Sequence, residues 1–330
     1  MAIQLFRRRA CPRPAHPFTG PGGVILVYAQ DGYATPHAVK QAIKSAARKA
    51  RGNTSGPSVD ALIRQEYFNR FLSRVFSERQ SSRWVLKGGT AMLARIPDTR
   101  ATLDIDLLAN SSDLEEAEKD LARLAAVDLG DHFRFVHDRS RRIAAGEAQE
   151  YTDGLRVTFI VYIGPQRQAD LSVDLVTGTR AVEPIETIIP ANRLDLPRLH
   201  SSPYRLYPIA HQLADKVCAV MMTYNGVPST REKDLVDLAV AATSAELRIE
   251  AHTFGEALHL ERRRRRIQPF EHFTVPPTWG PQYAPMARKL PALENYRDVE
   301  QAVELMHLFI DPILTMNASG QWSPHERRWI

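Results

Sequence analysis

The chain has 330 residues, 44% of them hydrophobic and 25% charged, with a formal net charge of +5 and a pI near 9.2. That length supports one large or two moderate domains with a substantial core, and the composition excludes a disordered or fibrous chain. No apolar run is long enough to span a bilayer, so no membrane partner is expected, and the only two cysteines, Cys11 and Cys218, exclude a disulfide framework and a cysteine-based zinc site.

Residues 1–34 begin "MAIQLFRRRACPRPAHPFTGPGG", in which an arginine cluster follows a very short apolar patch and prolines interrupt what an export signal needs to be continuous. They read as a tail, and the chain as cytoplasmic. "ATPHAVKQAIKSAARKA" then predicts a helix with Thr35 as N-cap and Pro36 at its first position. "RGNTSGPS" breaks it, and a second helix follows from Val59 to Ser77. In "RWVLKGGTAMLARI" a short strand, Trp84 to Leu86, runs through a glycine turn into a helix. Residues 102–108 predict a further strand, and "SSDLEEAEKDLARLAAV" a helix capped by Ser111 or Ser112 with acids in its first turn. "FRFVHD", "GLRVTFIVYIG" and "ADLSVDLV" supply three more strands.

From Pro208 the pattern turns helical. "PIAHQLADKVCAVMMTYNG" starts at Pro208 and is expected to stop at Gly226, "STREKDLVDLAVAAT" carries Ser229 and Glu232 at capping-box spacing, and a last helix lies around 294–310. The expected fold is α/β in the α+β sense: helices flanking a mixed sheet over residues 35–200, then a mainly helical region over 201–330 that completes the site.

The segment "DTRATLDIDLL" places Asp104 and Asp106 two apart in a strand-like run. Residues at that spacing share one face and lie roughly 6.5–7 Å apart at the backbone. Two ionised carboxylates held so close repel and suffer desolvation unless a cation neutralises them, and hard oxygen ligands suit Mg²⁺ or Mn²⁺. An edge strand whose aspartates face water is the alternative. Just upstream, Lys87, Gly88, Gly89 and Thr90 set two glycines and a hydroxyl at the start of a helix, where backbone N–H groups can cradle a phosphate; a Gly-Gly pair can also simply turn the chain. Asp174, in "LSVDLV", is a third carboxylate for the cluster if its strand lies beside the first. Asp170 has the same parity and competes with it, but lacks the apolar flanks.

Lys216 sits among Leu213, Val217 and Val220 in a helical pattern, so its stem can pack while its ammonium reaches phosphate oxygens or only solvent. Asp234 and Asp237, three apart, share a helix face and can position that lysine or a nucleotide, or remain ordinary solvated acids. Two arginine runs, Arg139, Arg141 and Arg142 in "RSRRI" and Arg262, Arg263, Arg264, Arg265 and Arg266 in "ERRRRR", are weaker candidates for RNA phosphates, with a solvated basic surface as the alternative. The histidines show no metal-ligand spacing in sequence.

A glycine turn and helix, a D-x-D strand and one further strand aspartate form the pattern of the DNA polymerase β-like nucleotidyltransferases. "LKGGTAML", "RATLDIDLL" and "ADKVCAVMMTYNGVPSTREKDLVDL" together resemble the AbiEii/AbiGii toxin family, the nucleotidyltransferase toxins of bacterial type IV toxin–antitoxin systems, and their MenT relatives. The resemblance covers roughly residues 35–315. It implies a polymerase β-like sheet, a triphosphate at Gly88, Gly89 and Thr90, metals at Asp104 and Asp106, and a later Lys…Arg-Asp-x-x-Asp-Leu motif falling on Lys216, Asp234 and Asp237. Here Lys233 stands where that motif has arginine, with Arg231 close by.

The resemblance further implies transfer of NMP from an NTP to an acceptor hydroxyl, with Asp174 on the acceptor side, Lys216 beside the β- and γ-phosphates and release of pyrophosphate. The implied acceptor is the 3′ end of tRNA, with translation blocked as the outcome, and the implied partner is a cognate antitoxin. Transfer to a protein or a small hydroxylated molecule would use the same carboxylates, and a non-catalytic nucleic-acid-binding module is the reading from another class.

Overall fold

In the computed structural model, residues 32–52, 56–97, 99–143, 154–178, 184–224 and 226–330 are described. Nearly all of the expected tail, with Cys11, lies outside them.

Helix α1 (Pro36–Arg51) starts as its sequence predicts: Thr35 accepts from the Ala38 N–H and Pro36 occupies the first turn. Helix α2 (Val59–Val75) is capped by Ser58. Its buried Arg74 reaches Asp131 at 2.6 and 3.0 Å, which fixes the helix to the chain entering the sheet. Strand β1 (Trp84–Lys87) runs directly into α3 (Gly88–Arg95). Strand β2 (Ile105–Ala109) starts later than the expected 102–108, because Leu103 and Asp104 form a bend before it. Helix α4 (Leu114–Ala125) is capped by Asp113, which accepts from Glu115 and Glu116 N–H groups, rather than by Ser111 or Ser112. A carboxylate at the positive helix end is favoured on charge as well as geometry.

The strands β3 (Phe133–Arg142), β4 (Gly154–Ile163), the two-residue β5 (Gln166–Arg167) and β6 (Leu171–Thr177) follow, and then β7 (Glu186–Ile188) and β8 (Tyr204–Leu206), which sequence periodicity was too short to reveal. They form a mixed sheet in the order β3-β4-β6-β2-β1-β8-β7, with β5 paired to β4. β2 and β6 are parallel, and β2 is antiparallel to β1. Alternation along β2 sends Ile105, Leu107 and Ala109 into the core, leaving Asp106 on the other face.

Helix α5 (Ile209–Met221) ends before the expected Gly226, which instead turns a small hairpin of β9 (Thr223–Tyr224) and β10 (Val227–Pro228) at positive φ. Helix α6 (Glu232–Thr243) begins without the expected capping box, since the Ser229 hydroxyl is donated to the Ala219 carbonyl at 2.8 Å. Helices α7 (Ala251–Arg264), α8 (Gly280–Ala287), α9 (Val299–Phe309) and α10 (Asp311–Leu314) complete the helical region, followed by the short pair β11 (Trp322–Ser323) and β12 (Arg328–Trp329). The buried apolar side chains form two clusters, one between the sheet and α1, α2 and α4, the other among the helices from α5 onward. Met92 and Ile96 belong to the second cluster, so α3 ties the two together. Among the described residues no helix is long and apolar enough to cross a membrane.

Candidate active site

The strand register lays four charged residues in one row across the sheet. Arg156 on β4 pairs with Asp174 on β6, Asp174 with Asp106 on β2, and Asp106 with Lys87 on β1. All four line a cleft of about 330 Å³, together with Asp104, Gly88, Gly89, Arg100, Thr102 and, from the helical region, Asp215, Lys216, Asp234 and Arg265. The fold thus brings the three aspartates from two adjacent parallel strands and the bend before one of them into a single space. Asp170 is exposed, bonded to Arg167 at 3.0 Å and absent from the lining.

Asp106 is the electrostatic centre of the row. Burial first, then the charges of Asp104 and Asp174, push its carboxyl up to about 7, despite Lys216 and Lys87 acting in the opposite direction. A carboxylate so placed lacks compensation for its ionised form. Three hard oxygen donors with that deficit fit a divalent cation of the Mg²⁺ or Mn²⁺ type.

The glycine turn is shaped by the same carboxylate. Gly88 has φ +62°, and a Cβ there would overlap the Asp106 side chain. Only glycine both adopts the left-handed backbone cheaply and leaves that room. The first N–H groups of α3 have no partner within the helix, and Gly88 and Gly89, which open it, line the cleft with the carboxylates. The Gln212 side chain donates to the Gly88 carbonyl at 2.7 Å, which fastens α5 to the turn.

Thr90 does not take the place expected of it. Its side chain is fully buried, and its hydroxyl is donated to the Asp104 carbonyl at 3.0 Å. The hydroxyl is thereby committed to holding the bend that presents Asp104 and lies outside the cleft lining. Lys87 does line the cleft; its ammonium lies 3.3 Å from Asp215 and 4.4 Å from the Tyr207 ring centre.

Lys216 is buried to 7% exposure and donates to both Asp234 and Asp237 at 2.7 Å. Burial disfavours its ammonium, yet the two carboxylates raise its pKa well above the usual lysine value. Asp237, fully buried, also accepts from Nε and Nη2 of Arg100 at 2.8 Å each. Burial alone would raise its carboxyl, but Lys216 and Arg100 hold it below the usual range. The two helices α5 and α6 are therefore joined to the segment before β2 by a closed ionic cluster.

The two arginine runs separate. Arg139, Arg141 and Arg142 lie exposed on β3, the edge strand of the sheet, and the next residue, Ile143, lines the cleft. At the end of α7, Arg263, Arg264 and Arg266 are exposed and Arg262 half-buried, but Arg265 is buried. Its guanidinium bonds Glu261, lies 3.8 Å from Asp215 and lines the cleft, so the expected RNA-phosphate candidate on a basic surface is instead a buried residue of the cleft wall.

Sequence reasoning missed Arg100, Arg156, Gln212 and Asp215. Arg156 carried a signal: it is a charged residue inside the apolar run "GLRVTFIVYI", on a strand flanked by two others. Asp215 stands next to Lys216, and Arg100 reaches a partner 137 residues away, a separation that no local pattern encodes.

A family model described as nucleotidyl transferase AbiEii toxin, type IV TA system, matches residues 70–305. Among solved structures, the chain is similar to MenT4, a nucleotidyltransferase toxin from Mycobacterium tuberculosis, at 17% identity and a TM-score of 0.47, covering 83% of this chain and 98% of that one. It is also similar to JHP933 from Helicobacter pylori, at 15% identity and a TM-score of 0.41, covering 78% of this chain and 94% of that one. No curated protein matches.

Proposed function

Because the chain belongs to the AbiEii nucleotidyltransferase toxin family of type IV toxin–antitoxin systems, we propose that its cleft transfers NMP from an NTP to an acceptor hydroxyl, the 3′ end of tRNA, and so blocks translation. The observation that carries this reading is the register pairing of Asp106 with Asp174 beside the glycine turn. It supports a site in which a triphosphate and an acceptor meet at one carboxylate cluster.

Asp104, Asp106 and Asp174 would hold a divalent cation, Mg²⁺ or Mn²⁺, which when bound neutralises phosphate charge and makes the acceptor hydroxyl more acidic. The N–H groups at Gly88 and Gly89 bind phosphate oxygens. Lys216 has three N–H donors, of which Asp234 and Asp237 take two; the third remains for the β- or γ-phosphate. Asp234 and Asp237 act through that lysine, holding it charged and in place. The acceptor oxygen forms a bond to the α-phosphorus, the bond from that phosphorus to the β-bridging oxygen breaks, and pyrophosphate leaves. Asp174 takes the hydroxyl proton once Arg156 releases one of its oxygens.

The two arginine runs adjoin the cleft, through Ile143 after the first and Arg265 within the second. Their position suits a polyanionic acceptor whose end enters the cleft while its backbone lies across the rim. A division into two units belongs to the same reading, but the boundary expected at 200 moves past β8, whose Tyr204 and Leu206 pack in the sheet cluster. A cognate antitoxin is the proposed partner in the cell. The test is incubation of the purified chain and Mg²⁺ with each labelled NTP and either tRNA or a protein lysate, followed by sequencing of RNA 3′ ends. Label on tRNA 3′ ends is expected; label confined to protein overturns the acceptor.

A further inference from the structure

We infer that His272, His307 and Asp311 form a second metal site, for a divalent transition-metal ion of the Zn²⁺, Co²⁺ or Ni²⁺ class. None of the three lines the carboxylate cleft. Their ligand atoms all lie within 4.8 Å of one another.

The trio is assembled from distant sequence. His307 is in the last turn of α9 and Asp311 opens α10, four residues later, so the two share a helical face. His272 arrives on the loop after α7. Both imidazoles direct Nδ1 at the same atom, Asp311 Oδ2, at 3.0 Å from His272 and 2.7 Å from His307. The other oxygen, Oδ1, accepts from the Phe273 N–H at 2.8 Å, and the Phe273 ring is fully buried in the helical core. The carboxylate is therefore oriented by backbone, with one oxygen left to face both rings. A hydrogen bond from behind to a carboxylate is the support that metal ligands commonly receive.

Geometry and chemistry agree on the ion class. Ligands about 2.0–2.1 Å from a tetrahedral zinc ion stand roughly 3.3 Å from one another, so the two histidine–Asp311 separations need to open by only a few tenths of an ångström, and the third separation in the trio is within 4.8 Å. Two imidazoles and one carboxylate suit a borderline ion, whereas the all-carboxylate cleft suits a hard one. The side chains of His272 and His307 are 70% and 41% exposed while that of Asp311 is 14% exposed, which leaves water room to complete the coordination shell. Donation to Asp311 Oδ2 uses a proton on Nδ1, whereas coordination through Nδ1 uses the tautomer that carries its proton on Nε2, so the ion takes the place of the two hydrogen bonds.

Such an ion would staple the loop after α7 to the corner between α9 and α10. The same loop follows Arg265, which lines the cleft, so occupancy would tighten a segment adjoining the site while standing outside its chemistry.

The test uses the full chain, stripped with chelator, titrated with Co²⁺ and followed by visible absorption, with Zn²⁺ added as competitor. One saturable equivalent giving an absorption band that Zn²⁺ displaces is expected. The band should persist in the Asp104→Asn, Asp106→Asn double variant and weaken in affinity by at least about tenfold in His272→Ala and in His307→Ala. Melting curves establish that each variant is folded, and the exposed His272 serves should His307→Ala not fold. Absence of saturable binding, or a band that survives both histidine variants or disappears with the cleft aspartates, overturns the site.

Discussion

Arg156 on β4 holds both carboxylate oxygens of Asp174 on β6 at 2.6 Å each, and the two are register partners across an antiparallel strand pair. A bidentate guanidinium is a strong, geometrically specific partner for a carboxylate. It occupies the oxygens that the proposed chemistry requires of Asp174, so arginine and divalent cation compete for one group.

Arg156→Ala should therefore lower the Mg²⁺ concentration that half-saturates nucleotidyl transfer, by about tenfold if the competition is worth about 1.4 kcal/mol. Titrating activity against Mg²⁺ in parent and variant measures it. A higher Mg²⁺ requirement in the variant would show instead that Arg156 holds Asp174 in its working orientation.

The glycine turn predicts an asymmetry between neighbours. Gly88→Ala faces both a positive φ and overlap with Asp106, whereas a Cβ at Gly89 meets Thr102 Oγ1 and Cβ at 3.2 and 3.3 Å, which a shift of Thr102 by a few tenths of an ångström relieves. Gly88→Ala should abolish transfer and lower stability by about 1–3 kcal/mol, and Gly89→Ala should lose clearly less of both. Denaturant unfolding and transfer assays on the pair decide it; equal effects would remove the argument for Gly88.

Much of this was legible in the sequence, and the pattern of success has a physical cause. Thr35 and the alternation in β4 and β6 act through neighbours a few residues away, so their roles are written locally, whereas the glycine pair was legible as a turn but the closeness of Gly88 to Asp106 was not. Asp104 was read as part of a strand because alternation continues past the point where backbone pairing stops, and Thr90 was read as a phosphate ligand because its hydroxyl can bond either outward or back to a carbonyl. Which of those it does depends on the bend at Asp104, a tertiary feature. Arg100, Arg156 and Arg265 were missed or misplaced for one reason: an arginine in a site and an arginine on a surface have the same local sequence, and only the partner distinguishes them.

Lys216 joins two carboxylates in a buried cluster, so removing it leaves Asp234 without its ion-pair partner and Asp237 with Arg100 alone. Lys216→Met should abolish transfer and destabilise the chain by about 3–5 kcal/mol. Adding Asp237→Asn should cost less stability in that variant than in the parent, since the carboxylate has already lost one of its two cationic partners, and should recover none of the activity. Urea unfolding of the parent, both single variants and the double variant measures the coupling. A double variant as unstable as the sum of the singles would mean that Lys216 and Asp237 do not act as a unit.

Asp106 ties stability to pH with a definite sign. Its folded-state pKa is about 7 against an ordinary value of 3.8, so between those pH values the folded chain retains a proton that the unfolded chain releases. By linkage, stability from this group is greatest at low pH and falls as pH rises through about 4 to 7, after which it levels. Asp106→Asn removes the slope: the variant should lose transfer yet exceed the parent in stability at pH 8 by on the order of 1–4 kcal/mol. Mg²⁺ should close that gap by stabilising the ionised parent and not the variant, and its effect on the parent should fade below pH 7 as the carboxylate takes up its proton. Melting temperatures of both chains across pH 4–8, with and without Mg²⁺, measure all three expectations. Parallel curves for parent and variant would show that Asp106 is already compensated in the ligand-free chain, and the case for a cation at this cluster would lose its electrostatic basis.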